Sequence, residues 1–179
     1  EAAITKKTKA IIVVHYAGVS CEMNEIMKIG KKYNLCIIED NAHGLFGKYH
    51  DQKLGSIGHM STLSFHQTKN ITCGEGGALI INDLDFYERA EIIREKGTDR
   101  SKFLRGEINK YTWVDKGSSY ILSDILSAVL LCQLELSKKI QTKRKKIWEK
   151  YHKNLNYWCN KNDIVQPSIP SYCKQSYHM

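Results

Sequence analysis

Two short apolar runs on either side of a helical stretch constrain this chain more than anything else in it. Ala10 to His15 (AIIVVH) is β-branched and apolar without alternation, the pattern of a strand buried on both faces. Cys21 to Asn34 follows with helical spacing, Met23, Ile26, Met27 and Ile29 falling on one side. Leu35 to Ile38 (LCII) is a second buried strand, and it runs directly into Glu39-Asp40. Strand, helix and strand within roughly thirty residues make a βαβ unit, whose strands are parallel and joined by a right-handed crossover. The fold class that follows is α/β.

The rest of the chain extends that layout. A glycine-punctuated loop, Gly44 to Gly58, leads to a strand at Ser61 to His66, a turn-rich segment at Gln67 to Gly77, and a strand at Ala78 to Asn82. Asp83 or Asp85 is placed to cap a helix that runs to about Lys96 and stops at Gly97. Thr98 to Ser119 is polar and irregular, and Ile121 to about Tyr157 reads as one or two long helices. Their expected apolar positions are Ile125, Leu126, Val129, Leu130, Leu134, Ile140 and Ile147. Asp163 to Met179 holds both prolines and no regular pattern.

With 179 residues, the chain can build one domain and part of another. Its net charge of +8 is concentrated partly in Lys138-Lys139 and Lys143 to Lys146, on a predicted helix. A basic helix face is commonly a solvated one, and neither zinc-finger spacing nor an RNA-recognition aromatic motif accompanies it, so no nucleic-acid partner is expected. None of the six cysteines forms a C-x-x-C pair, and Cys36 and Cys132 fall within apolar patterns where a thiol acts as a small hydrophobe. No metal site is indicated. No apolar run has the length to cross a bilayer and no secretory leader is visible, so a cytoplasmic protein is expected.

Two places carry chemistry. Asp40 stands at the carboxyl end of a buried parallel strand, where open α/β sheets place their ligands. There it can serve as a metal ligand, a ribose binder, a partner for a cationic ring nitrogen, or simply a cap. Lys69 follows the next strand in Ser64-Phe65-His66-Gln67-Thr68-Lys69-Asn70, ahead of the cluster Gly74-Glu75-Gly76-Gly77. A lysine partly withdrawn from water becomes a better Schiff-base nucleophile, and glycines allow backbone to approach a bound group.

Taken together, these segments resemble the DegT/DnrJ family of sugar aminotransferases. The resemblance is carried by His15-Tyr16-Ala17-Gly18, Glu39-Asp40-Asn41-Ala42-His43-Gly44 and Ser64 to Gly77. It continues through Arg94 to Arg100, Lys110-Tyr111-Thr112-Trp113 and Gly117-Ser118-Ser119-Tyr120. The later segments are closest to the branch that makes dTDP-4-amino-4,6-dideoxygalactose from the 4-keto sugar nucleotide. The resemblance implies an aspartate-aminotransferase-like fold with a mixed, mostly parallel sheet, and pyridoxal 5'-phosphate (PLP) as cofactor. It divides the chain into part of the large PLP-binding domain (1–135) and a connecting helix with the start of a small domain (136–179).

The family's roles then fall on particular residues. Lys69 bears the cofactor and moves the proton between the substrate's C4 and the cofactor's C4′. Asp40 pairs with the pyridine nitrogen and keeps it protonated. His43 stands near the cofactor's 3-oxygen, Ser64 donates to its phosphate, and Ser119 reaches the phosphate of the partner subunit's cofactor in a homodimer. Ser119 as a helix cap is the competing reading. His15, His66 and Trp113 are open between substrate contact and packing or loop anchoring. Glutamate is the implied amino donor. Dehydratases of the family carry histidine in place of the cofactor-bearing lysine, so the lysine here favours amino transfer.

Nothing in Glu1 to Lys9 matches the family's amino-terminal phosphate loop, and the match breaks off near His178-Met179. The isolated polypeptide is therefore expected to have little or no transaminase activity. Amino transfer to another nucleotide-linked keto sugar, a non-catalytic relative and a basic nucleic-acid-binding module are the competing readings.

Overall fold

A computed structural model describes residues 1–179 throughout. The βαβ unit is present: β1 (Ala10–Val14), α1 (Met23–Tyr33) and β2 (Cys36–Asp40), with β1 and β2 parallel. The helix stops at Asn34, which takes the left-handed conformation (φ 51°) and donates its N–H to the carbonyls of Gly30 and Lys31. Gly30 lets the helix close on the sheet, since a Cβ there would lie 2.8 Å from the Ile37 side chain. Met23 is fully buried, with Ile26 and Met27 packed beside it.

After the short hairpin β3 (Lys48–Tyr49) and β4 (Gln52–Lys53) come β5 (Met60–Ser64) and β6 (Gly77–Ile81). The main sheet has the order β1-β2-β5-β6, parallel except for the antiparallel pair β5/β6. The helices α2 (Tyr87–Arg94), α3 (Arg100–Leu104), α4 (Asp124–Glu135) and α5 (Ser137–Lys161) follow, and β7 (Cys173–Lys174) returns to pair with β3.

Cross-strand register divides the sheet into two unlike faces. Val13, Glu39, Ser61 and Ile80 align on one face, and Ile37 joins them two residues before Glu39. The core cluster of Val13, Met23, Ile37, Tyr49 and Leu54 lies there, beneath α1 and the hairpin. On the other face stand Ile12, Val14, Ile38, Asp40, Thr62, Ser64 and Leu79. It is open: Ile12 is 66% and Leu79 51% exposed. A second cluster, Phe65, Ile71 and Cys73, packs against Leu122, Leu126, Leu130 and Ile140 and ties the segment after β5 to α4 and α5.

Several expectations need correction. β2 runs two residues further than the apolar pattern suggested, through Glu39 and Asp40, because Glu39 finds partners inside the fold. Asp83 caps a single 3-10 turn (Leu84–Phe86), and the helix behind it ends at Arg94. The span Thr98 to Ser119 contains α3 and is pinned by bridges from Thr98 to Trp113 and from Glu95 to Ser119. Ser123, not Ser119, caps α4, accepting from the Leu126 N–H. The long helical region is two helices broken at Leu136, and of its expected apolar positions Ile125, Val129, Leu134 and Ile147 are exposed. Cys132 is exposed as well.

Candidate active site

The lysine loop is held from below. Phe65 and Ile71 are buried on either side of it, and the Phe65 carbonyl accepts from the Cys73 N–H (3.0 Å) and the Thr72 hydroxyl (3.1 Å). Lys69 sits half-buried at the crest of that loop, its N–H donating to the His66 carbonyl at 2.9 Å. Asn70 beside it is buried, and its amide donates to the Ser176 carbonyl (2.7 Å) and to Gln141 Oε1 (3.1 Å). The backbone on which the amine rides is therefore fixed by apolar anchors and by a buried amide.

Asp40 closes β2 on the open face. One of its oxygens accepts the Ala42 N–H at 3.1 Å, which shapes the turn into Asn41-Ala42-His43. Ser64 lies on the same face, two residues along β5 from Thr62, the neighbour of Asp40. Its hydroxyl oxygen accepts the His66 N–H at 3.4 Å. His43 Nδ1 accepts the Ala17 N–H at 3.3 Å, so the ring proton belongs to Nε2. Burial and the positive charge of Lys69 lower the imidazole's pKa, with Asp40 working the other way. Asp40, His43 and Lys69 thus share one electrostatic neighbourhood.

The remaining residues separate. Ser119 is exposed and paired with Glu95, and no hydrogen bond links it to the other four. His15 is wholly buried: the Cys21 N–H donates to its Nδ1 and its Nε2–H to Glu39 (2.9 Å), so it is a packing residue. His66 anchors its own loop through Thr68 and Glu75. Trp113 is 78% exposed and contributes nothing to the core.

Glu39 also accepts the N–H groups of Gly55, Ile57 and Gly58. Burial pushes its carboxyl up, but the His15 bond and these three backbone donors hold it below the ordinary carboxylate range.

Sequence reasoning passed over three neighbours. Tyr16 meets His43 edge-on with ring centroids 5.4 Å apart, and His178 stacks on it at 4.1 Å and 19°. Asn70 bonds His178 Nδ1 at 2.9 Å. Burial, followed by the charges near it at His43, Lys69 and Arg144, lowers His178 to about 4. Tyr16 and Asn70 stood inside the quoted motifs and so carried a signal; His178, at the end of the match, carried none. A cavity of about 450 Å³ between α5 and the carboxy-terminal segment counts His178 and Ala17 among its walls.

An amine, a carboxylate and an imidazole N–H lie near the carboxyl ends of parallel strands, where open α/β sheets bind their ligands. The family model of the DegT/DnrJ/EryC1/StrS aminotransferases matches residues 1–178, and the chain belongs to that family. It is 36% identical over 157 residues to GDP-perosamine synthase of Escherichia coli O157:H7, covering 87% of this chain and 41% of that protein. It is 29% identical to Helicobacter pylori PseC, an aminotransferase involved in the biosynthesis of pseudoaminic acid, with TM-score 0.83 over 99% of this chain and 46% of that one. A protein of Streptococcus pneumoniae described as a sugar aminotransferase, solved in a PLP form, matches with TM-score 0.80 at 25% identity, covering 99% of this chain and 48% of that one. The chain spans under half the length of the curated relatives. No helix is long and apolar enough to cross a membrane.

Proposed function

We infer that this chain carries the catalytic lysine region of an enzyme that moves an amino group from glutamate to a nucleotide-linked 4-keto-6-deoxy sugar. Conversion of dTDP-4-dehydro-6-deoxyglucose to dTDP-4-amino-4,6-dideoxygalactose, for a surface polysaccharide, is the specific reaction. The observation that carries the reading is the gathering of Asp40, His43 and Lys69 at one end of the open sheet face. Pyridoxal phosphate is the family's cofactor, and the residues present suit it: a free carboxylate oxygen on Asp40, the Nε2–H of His43, the Ser64 hydroxyl and the Lys69 amine are all unclaimed by stronger partners.

When bound, that cofactor supplies an aldehyde for the amine and a ring that accepts electrons. Asp40 would keep a proton on the ring nitrogen, and the Ala42 N–H bond at the strand end leaves its second carboxylate oxygen available for that role. His43, with its proton on Nε2, would hold the ring oxygen, and the Ser64 hydroxyl would hold the phosphate. Lys69 Nζ would carry a proton from the donor's α-carbon to the cofactor's C4′, and in the second half from C4′ to C4 of the sugar. A tethered amine suits both steps because it stays within reach of each carbon.

Ser119 is assigned to the cofactor phosphate of the opposite protomer in a homodimer, which agrees with its exposure and its lack of contacts to Lys69. A division of the chain into part of the large domain (1–135) and the start of a small one (136–179) is supported by the end of α4 at Glu135 and the start of α5 at Ser137. The isolated chain has little or no activity on this reading, since its open face offers the cofactor no second wall; a cofactor absorbance band that survived desalting would contradict it. A cytoplasmic location follows from the substrates.

The similarity to GDP-perosamine synthase favours one alternative, a GDP-linked keto sugar as acceptor. The test is to extend the chain to the length of its relatives, supply PLP, and compare dTDP- and GDP-linked 4-keto sugars. Turnover of the dTDP sugar supports the reading, and turnover confined to the GDP sugar replaces it.

A further inference from the structure

In residues 175–178, Gln175 and Ser176 are buried and Tyr177 and His178 half-buried. Ser176 is fully buried. Its N–H donates to the Gly18 carbonyl (3.1 Å), its hydroxyl donates to the His43 carbonyl, and its own carbonyl accepts from Asn70 and Gln141. Arg144 on α5 donates to the carbonyls of Tyr177 (3.0 Å) and His178 (2.6 Å). So many satisfied groups around three residues give the His178 ring a fixed place.

Its tautomer follows from its partners. Asn70 spends both bonds of its amide nitrogen as a donor, so its Oδ1 is the acceptor facing His178, and the ring proton sits on Nδ1. His43 has the opposite arrangement, with Nδ1 accepting from Ala17 and Nε2 carrying the proton. Both rings are neutral, which lets them stack face to face beside Lys69 and Arg144 without repulsion. His178 therefore holds the residue next to the lysine with one atom and covers His43 with its face.

We propose that His178 is a positioning residue of the site, which sets the orientation of His43 and the placement of the Lys69 loop together. The proposal rests on the functional reading above and extends it to a residue 108 positions away from Asn70. A purely structural tail would need the Ser176 and Arg144 bonds but not an imidazole at this point.

The test uses protein labelled with ¹⁵N-histidine, comparing the parent with His178→Ala and His178→Phe. Removing the ring uncovers His43, so in His178→Ala its titration rises back toward 6.5, whereas His178→Phe, which keeps a stacking face, leaves it low. In the extended, PLP-loaded enzyme kcat falls on the order of 10–10²-fold in His178→Ala, less in His178→Phe, with KM for the sugar little changed. An unchanged His43 titration in His178→Ala overturns the proposal, as does a loss confined to KM. A parent enzyme that forms no reducible adduct at Lys69 would instead remove the functional reading, and the His43 titration would still decide the proposal.

Discussion

Glu39 and Asp40 are adjacent acids on one strand, and they do opposite work. Glu39 points into the covered face, with no exposed side-chain surface and four donors around it. Asp40 points to the open face with one local hydrogen bond and an oxygen to spare. The period of two along a strand separates a carboxylate that holds the fold from one that is available for chemistry. The same contrast runs across the sheet: Val13 and Ile37 pack under α1, while Ile12, Thr62 and Leu79 lie open. A mostly parallel sheet is normally covered on both sides.

Substitutions on the two faces should therefore report on different things. Glu39→Ala strands His15 and three loop amides, and it should lower unfolding free energy by about 3–5 kcal/mol in urea titrations, as removal of one member of a buried pair does. A loss below about 1 kcal/mol would place Glu39 outside the fold's core, since surface-like substitutions cost no more than this. Asp40→Asn keeps the Ala42 bond and should leave stability nearly unchanged, while kcat of the extended enzyme falls about 10²–10³-fold, the scale of losing one preorganised electrostatic partner.

Acid should expose a smaller effect with a definite sign. His43 and His178 titrate below 6.5 when folded, His178 at about 4, so between these values the unfolded chain binds more protons. Stability should fall as pH drops through that window, and His178→Asn should flatten the fall. Glu39 adds its own loss only below 4.5, because its folded pKa is depressed from that value. Urea midpoints at neutral pH, in the window and below it separate the two. The smallest contrast is hydrophobic: Ile37→Val should cost about 0.5–1.5 kcal/mol, and Ile12→Val on the open face no more than about 0.5 kcal/mol.

The βαβ unit was legible because unbroken apolar runs bracket a helix with a clear stripe, and those signals are local. Asp40 and Lys69 were singled out by their positions after strands and by the motifs around them, and the structure places Asp40 at the end of β2 and Lys69 in the loop that follows β5; their roles are the proposal made above. The hairpin β3/β4 and strand β7 were not, since two-residue strands have no periodicity and β7 pairs with a strand more than a hundred residues earlier. His178 was missed for the same reason: its stack on His43 and its bond to Asn70 exist only once the chain has returned on itself. The apolar stripe of α4 was read too broadly, because a helix pattern marks faces that avoid water without saying whether this chain covers them. Leu126 and Leu130 meet the Phe65 cluster; Ile125 and Val129 meet solvent.

Borohydride reduction of the extended, PLP-loaded protein, followed by peptide mapping, tests the site most directly. The pyridoxyl group should appear on Lys69 and vanish in Lys69→Ala. A label on any other lysine, or one that persists in that variant, would contradict the account.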